Sequence, residues 1–262
     1  MKKAQKKQGT PPPRKKLRIA IVGLTSCDGC SVSAIDMGAE FIGAVDHFEL
    51  GDFFLIMDEK NNEPYDVTFV EGAPLTKQNI ANLKAARKRT KVLVSFGACA
   101  CHGVIPNIKN HIDKERAVRY VYPQTHTKVF NPDIRPLKHF VKVDLELPGC
   151  PPDGRDIIAI LNAVREGISP KLLENPVCYE CQLNGNECVL QKGEPCLGPV
   201  TRGGCDAVCL NSKFFCKGCR GMIPGYSTKQ LERQILENHT REELNSILQI
   251  FGIQEDWYEA QK

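Results

Sequence analysis

The sequence predicts an α/β domain built on a parallel sheet, followed by an irregular cysteine-rich domain. From Leu17 to about Gly167, short β-branched runs alternate with longer mixed segments, as strands do when joined by right-handed helical crossovers. From 170 to 226, glycine, proline and cysteine are dense and no clean periodicity survives, so something other than a large apolar core must hold that stretch. The chain also has thirteen cysteines, grouped so that they relate the two halves. The expected division is a basic tail over 1–16, the sheet domain over 17–167 and the cysteine-rich domain over 168–262.

Leu17 to Gly23 (LRIAIVG) reads as a buried strand, and Cys27 and Cys30 follow it as a CxxC. Val32 to Ala44 reads as a helix. Asp66 to Val70 is a second clear strand, left by Glu71, and Thr76 to Lys88 has helical periodicity. Lys91 to Gly97 is a third strand, with Cys99 just beyond it. After a stretch punctuated by prolines at 123, 132 and 136, Val141 to Leu147 is a fourth, followed by Cys150, and Asp156 to Glu166 is a final helix. Thr228 to Phe251 reads as one or two amphipathic helices, with Leu231, Ile235, Leu236, Leu244, Ile247, Leu248 and Ile250 apolar; closing the domain or packing on a partner subunit accounts for them.

In an open α/β sheet the loops leaving the carboxyl ends of the strands share one rim, where ligands sit. Cys27, Cys30, Cys99 and Cys150 all have that address, so four thiols distant in sequence are expected to meet. Gly29, Gly97 and Gly149 beside them allow tight turns and close backbone approach. Glu71 leaves a strand at the same rim, either as a solvated loop carboxylate or as a relay for protons.

The remaining cysteines run Cys178-x2-Cys181-x6-Cys188-x7-Cys196 and Cys205-x3-Cys209-x6-Cys216-x2-Cys219, divided at Leu197-Gly198-Pro199-Val200. With Cys101 left out as a buried thiol or a rival to Cys99, twelve cysteines make three sets of four. Four thiolates are what one cubane iron-sulfur cluster needs. Zinc is the competing reading. One zinc ribbon would separate its two cysteine pairs by 34 residues, against the usual 15 to 20, and leave four cysteines over. Two four-cysteine zinc sites fit the count better, and spacing alone does not exclude them. Of the six histidines only His102 lies near a proposed site, and none is assigned as a ligand.

At 262 residues the chain can bury a core without disulfides. It opens on a lysine-rich segment with no apolar run of signal or membrane-spanning type, so a cytoplasmic, reducing compartment is expected, where dense cysteine points to metal or redox chemistry. The net charge of +4 misleads: residues 1–16 hold seven basic and no acidic side chains, and the rest carries 28 basic against 31 acidic. The tail, with Pro11, Pro12 and Pro13, is expected to be disordered, and the body offers no charge pattern for nucleic acid. No dinucleotide or P-loop glycine motif is present, nor any set resembling a nucleophile or an acid/base pair.

Thr25-Ser26-Cys27-Asp28-Gly29-Cys30, Glu71-Gly72, Gly97-Ala98-Cys99-Ala100, Pro148-Gly149-Cys150-Pro151-Pro152 and Cys196-Leu197-Gly198-Pro199-Val200-Thr201 resemble, in order, the motifs of NiFe hydrogenase small subunits. The form resembled most is the cytoplasmic type found in sulfhydrogenases and in NAD(P)-, deazaflavin- and heterodisulfide-reductase-linked hydrogenases. Cys178 stands where periplasmic members have a histidine, and Cys209 where they have a proline. The resemblance implies a flavodoxin-like first domain and three 4Fe-4S clusters. Cys27, Cys30, Cys99 and Cys150 would bind the proximal one, Cys178, Cys181, Cys188 and Cys196 the distal, and Cys205, Cys209, Cys216 and Cys219 the medial. It further implies a large-subunit partner holding the nickel-iron site, which this chain lacks, and a further iron-sulfur or flavin subunit that exchanges electrons. The alternatives are the proximal-cluster subunit of a complex-I-like or energy-converting hydrogenase, whose chains lack the eight downstream cysteines, and a zinc-stabilised interaction module.

Overall fold

The computed structural model describes residues 16–45, 47–58, 63–124, 130–170 and 172–262; nearly all of the expected basic tail lies outside them. Five parallel strands form one sheet: β1 (Leu17–Gly23), β2 (Phe48–Phe53), β3 (Tyr65–Glu71), β4 (Thr90–Phe96) and β5 (Leu145–Leu147). Their order, β2-β1-β3-β4-β5, is that of flavodoxin-like sheets, and β1 and β3 flank the point where the chain reverses its direction of winding.

The strands form where β-branched and aromatic residues give both faces of a buried sheet something to pack. Ile19, Ile21, Val67, Phe69, Val94, Phe96 and Leu147 turn one face toward α1 (Gly29–Ile35) and the later α7, meeting Ala34, Ile157, Ile160 and Leu161. On another face Val70 and Leu93 pack with Leu83 of α3 (Lys77–Arg89), which starts on a capping box between Thr76 and Asn79.

Two expectations are corrected and one strand is added. The helix expected over 32–44 is two, α1 and α2 (Ala39–Val45), because the chain turns at Gly38 with φ +56. β2 escapes the sequence pattern because Phe-Glu-Leu-Gly-Asp-Phe places a register shift against Ile19 and Ala20, which breaks the two-residue alternation. β5 is shorter than the run 141–147 because the Asp144 carboxylate accepts the Leu93 N–H at 2.9 Å, taking the place of one ladder bond; strand pairing begins at Leu145.

Between β4 and β5 lie α4 (Ala98–His102), α5 (Val104–Asn107) and α6 (Lys114–Val121). Helix α7 (Gly154–Glu166) closes the sheet, its N-terminal Asp153 accepting the Arg155 N–H at 2.8 Å. Beyond it, among the described residues, the short helices α8 (Val177–Leu183) and α9 (Val208–Asn211) and a 3-10 turn at Leu190–Lys192 interrupt the cysteine-rich loops. The chain then forms α10 (Lys229–Leu236), α11 (Arg241–Ile250) and α12 (Gln254–Glu259). These last helices supply the core the loops lack: Leu231, Ile235, Leu244, Leu248, Ile253 and Trp257 pack on Leu197 and Val200. Closing the domain thus accounts for them, and α11 also rests beside α5 of the sheet half.

Candidate metal centres

The first centre is assembled where β1, β3, β4 and β5 end. After β1 the backbone is pinned to the end of β3 by Leu24 N–H on Glu71 O at 2.9 Å and by the bridge between Thr25 and Ala73. Cys27 is exposed on the turn, and Cys30 lies buried in the first turn of α1. Glu71, only 1% exposed, holds this turn from beneath. Its carboxylate accepts the Cys30 N–H at 3.2 Å, the Ser31 N–H at 2.9 Å and the Ser31 hydroxyl. The solvated-carboxylate reading of Glu71 is therefore wrong: the carboxylate satisfies helix N–H groups that would otherwise be stranded in the interior.

Cys99 sits in the first turn of α4. Its loop is tied to that of Cys150 by Gly97 N–H on Leu147 O and Ala98 N–H on Gly149 O, both 2.8 Å. A Cβ on Gly97 would collide with Cys30 Sγ, so the small residue leaves the thiol its place. Burial pushes the Cys30 thiol far above its ordinary range, and Glu71, Cys99, Cys150 and Cys27 push it further. Cys99 is pushed up to about 12 by burial, then by Cys150, Cys27 and Glu71. The four thiols thus lie within electrostatic reach of one another. A thiophilic metal group would supply positive charge there and take the thiolates directly.

The second group is built on α8, which carries Cys178 and Cys181, with Cys188 exposed in the following loop and Cys196 buried after it. Burial pushes Cys178 up to about 12, reinforced by Cys196, Cys181 and Cys188. A Cβ on Gly198 would stand 3.3 Å from Cys178 Sγ and 3.4 Å from Cys196 Sγ, so the Leu197-Gly198-Pro199 turn forms a close-fitting wall beside both sulfurs.

The third group lines a cleft of about 590 Å³. Cys205, Cys209, Cys216 and Cys219 all reach it, together with Cys150 of the first group, Phe214, Phe215 and Phe251. The turn from Cys205 to Cys209 passes through Asp206 and Ala207 at φ 55 and 49, an uncommon conformation for residues other than glycine. Cys219 is pushed up to about 12 by burial and then by Cys205, although an N–H bond from Cys150 opposes the rise. Four thiols around one cleft are a donor set that a cubane cluster would take.

The three groups adjoin. Cys150 acts on Cys219 and is acted on by Cys209, while the Cys216 N–H points to Cys196 Sγ at 3.4 Å. The group at 205–219 therefore stands between the other two. Among the described residues no three His, Cys, Asp or Glu side chains converge on a single metal ion.

Cys101 belongs to none of the groups. Its thiol is fully buried on the other side of α4 and contacts Ser95 O at 3.4 Å, which leaves Cys99 as the residue facing Cys27 and Cys150. His102 faces away as well, its pKa lowered to about 4 by burial and by Lys138 and Arg202. Sequence reading missed two charged residues. Glu180, inside the Cys178-x2-Cys181 motif, accepts the Gly204 N–H at 2.7 Å. Arg220, next to Cys219, is 1% exposed and pairs with Asp156 of α7 at 2.7 Å. Adjacency to a ligand motif was the only signal for either.

The family described as NADH ubiquinone oxidoreductase, 20 Kd subunit, matches residues 27–164. The chain is 35% identical over 208 residues to the sulfhydrogenase 2 subunit delta of Pyrococcus furiosus, covering 78% of this chain and 86% of that one. It superposes on a chain of an NAD+-reducing [NiFe]-hydrogenase with a TM-score of 0.53 and 28% identity, over 60% of this chain and 96% of the other. A chain of the Ni-Fe-Se hydrogenase of Desulfomicrobium baculatum matches at a TM-score of 0.52 over 79% of this chain and 94% of its own; at 16% identity that likeness concerns the fold.

Proposed function

The chain belongs to the NADH ubiquinone oxidoreductase 20 kDa subunit family, as a small subunit of the NiFe-hydrogenase type, and on that premise we propose that it conducts electrons through three 4Fe-4S clusters. A small subunit of this type is part of an oxidoreductase complex and works with a large subunit. The observation that carries the proposal is the contiguity of the three thiol groups, from the strand-end rim through the cleft to the exposed Cys188.

In this reading Cys27, Cys30, Cys99 and Cys150 hold the proximal cluster, Cys205, Cys209, Cys216 and Cys219 the medial, and Cys178, Cys181, Cys188 and Cys196 the distal. When bound, such clusters accept and release one electron each, at potentials set by charge, hydrogen bonds to sulfur and exposure. The chain's own groups supply those settings: N–H bonds reach Cys196 and Cys205, and Phe214, Phe215 and Phe251 line the medial site. Cys27 and Cys150 lie exposed on the rim, with the apolar Val32, Ile35 and Ile42 exposed on the neighbouring helices; this face suits the large subunit. Exposed Tyr179 and Leu183 of α8 adjoin the distal group, and there we place the further redox subunit. Glu71 positions the CxxC turn, and a relay of protons through it would run by way of the Ser31 hydroxyl. We place the complex in the cytoplasm. No helix of the described residues is long and apolar enough to cross a membrane.

The test is the iron, acid-labile sulfide, zinc and nickel content of the anaerobically isolated native complex, with its chains identified. About twelve irons and twelve sulfides per copy of this chain, with nickel in a larger partner, are expected. About two zincs and little iron, or iron for one cluster alone, would overturn the three-cluster reading.

A further inference from the structure

Arg220 occupies a place that holding a fold together does not by itself explain. It is a fully buried cation immediately after a cysteine of the medial group, and it reaches into both halves of the molecule. Its Nε donates to Gly203 O at 2.6 Å, in the loop leading to Cys205. An Nη donates to Pro148 O at 3.5 Å, in the loop leading to Cys150, and the other pairs with Asp156 Oδ2 on α7 at 2.7 Å. The backbone is shaped around it: a Cβ on Gly204, at φ +101, would stand 2.6 Å from the guanidinium. Other charged groups near it include Asp153, whose carboxylate it acts on, Glu180, which faces Cys205 as Arg220 does, and Lys138, Glu146, Arg202, Asp256 and Glu259, which line a neighbouring cavity with it. Arg220 and Cys150 both line the medial cleft.

We infer that Arg220, with Asp156 as its counter-charge, is a positioning residue of the electron path: it fixes the loops of Cys150 and Cys205 relative to each other and raises the reduction potential of the medial centre. The inference rests on the three-cluster reading above. An added electron makes a cluster more negative, so a fixed cation beside it favours the reduced form, and burial keeps that field from being screened. Asp156 offsets part of the field from the far side of the guanidinium. The two residues therefore have opposite effects on the same centre, which a merely structural tie would not produce.

The experiment is a spectroscopically monitored redox titration of the intact complex carrying Arg220→Met, Arg220→Lys or Asp156→Asn, with the distal cluster as internal reference. Arg220→Met is expected to lower the medial potential by about tenfold in the one-electron equilibrium, or 59 mV. Asp156→Asn is expected to raise it, and Arg220→Lys, which keeps the charge, to leave it near the native value. The distal potential should stay in place throughout. If Arg220→Met fails to fold, the opposed behaviour of Asp156→Asn and the constancy of Arg220→Lys still decide. Shifts of the same sign in Arg220→Met and Asp156→Asn, or no shift in Asp156→Asn with all three clusters present, would overturn the inference while leaving the three-cluster reading intact. Absence of a medial cluster from the native complex would remove both.

Discussion

Gly97 stands at φ 87 and ψ 165, a region that side chains other than glycine's occupy at a cost of about 1–3 kcal/mol. A Cβ there would also press on Cys30 Sγ. Gly97→Ala is therefore expected to displace one thiol of the proximal set, and iron analysis should find about four fewer irons per chain. Asp144 shows how charge is handled away from the cysteines. Burial alone would raise its pKa, but the Leu93 N–H, Arg87 and Lys142 outweigh burial and hold it below the ordinary 3.8. A carboxylate depressed in the folded state adds stability above its unfolded pKa and loses it as the pH falls through the folded value. Acid titration monitored by circular dichroism should show stability declining below about pH 4, with a shallower decline in Asp144→Asn. At this scale the position of Cys27, Cys30, Cys99 and Cys150 just after strand ends was legible, because strand periods and cysteine spacing are both local. Glu71, Arg220 and Glu180 were less so, since nothing local distinguishes a buried carboxylate or guanidinium from a solvated one.

Helices α10, α11 and α12 meet on a single carboxylate. Glu232, on α10, accepts from Trp257 Nε1 of α12 at 3.0 Å, from Gln261, and from Arg241 of α11 at 2.8 Å. Trp257 is fully buried, so removing its acceptor strands an indole N–H in the core of the C-terminal helices. Glu232→Ala is expected to cost about 1–3 kcal/mol and to lower the melting temperature with iron content unchanged; loss of iron in step with stability would show instead that these helices hold the cluster loops directly. Strand and helix prediction succeeded where one period dominated, as in β1, β3, β4, α3 and α7. It failed at β2 and α2, where a register shift and a turn at Gly38 interrupt the period, and at α12, whose six residues are too few to reveal one.

Across the whole molecule, the two halves are joined where Cys150 meets Cys209 and Cys219 and where Arg220 meets Asp156. On the three-cluster proposal, Cys150→Ser should remove the proximal cluster while the medial and distal signals persist, because the eight downstream cysteines lie on loops closed by the core around Leu197 and Trp257. Electron paramagnetic resonance of the reduced variant is the measurement. Loss of all three signals in a protein that still melts cooperatively would mean that the sites are not independent.

The sequence by itself determined which side chains can bind a soft metal and that Cys27, Cys30, Cys99 and Cys150 follow strand ends. These follow from residue chemistry and from periods only a few residues long, both of which are local. Only the tertiary structure decided that Cys101 turns away while Cys99 faces the site, that the 205–219 group lies between the other two although it comes last in the chain, and that a buried arginine ties their loops together. Those relations depend on how α7 and the C-terminal helices pack, which is set by side chains far apart in sequence competing for the same buried volume.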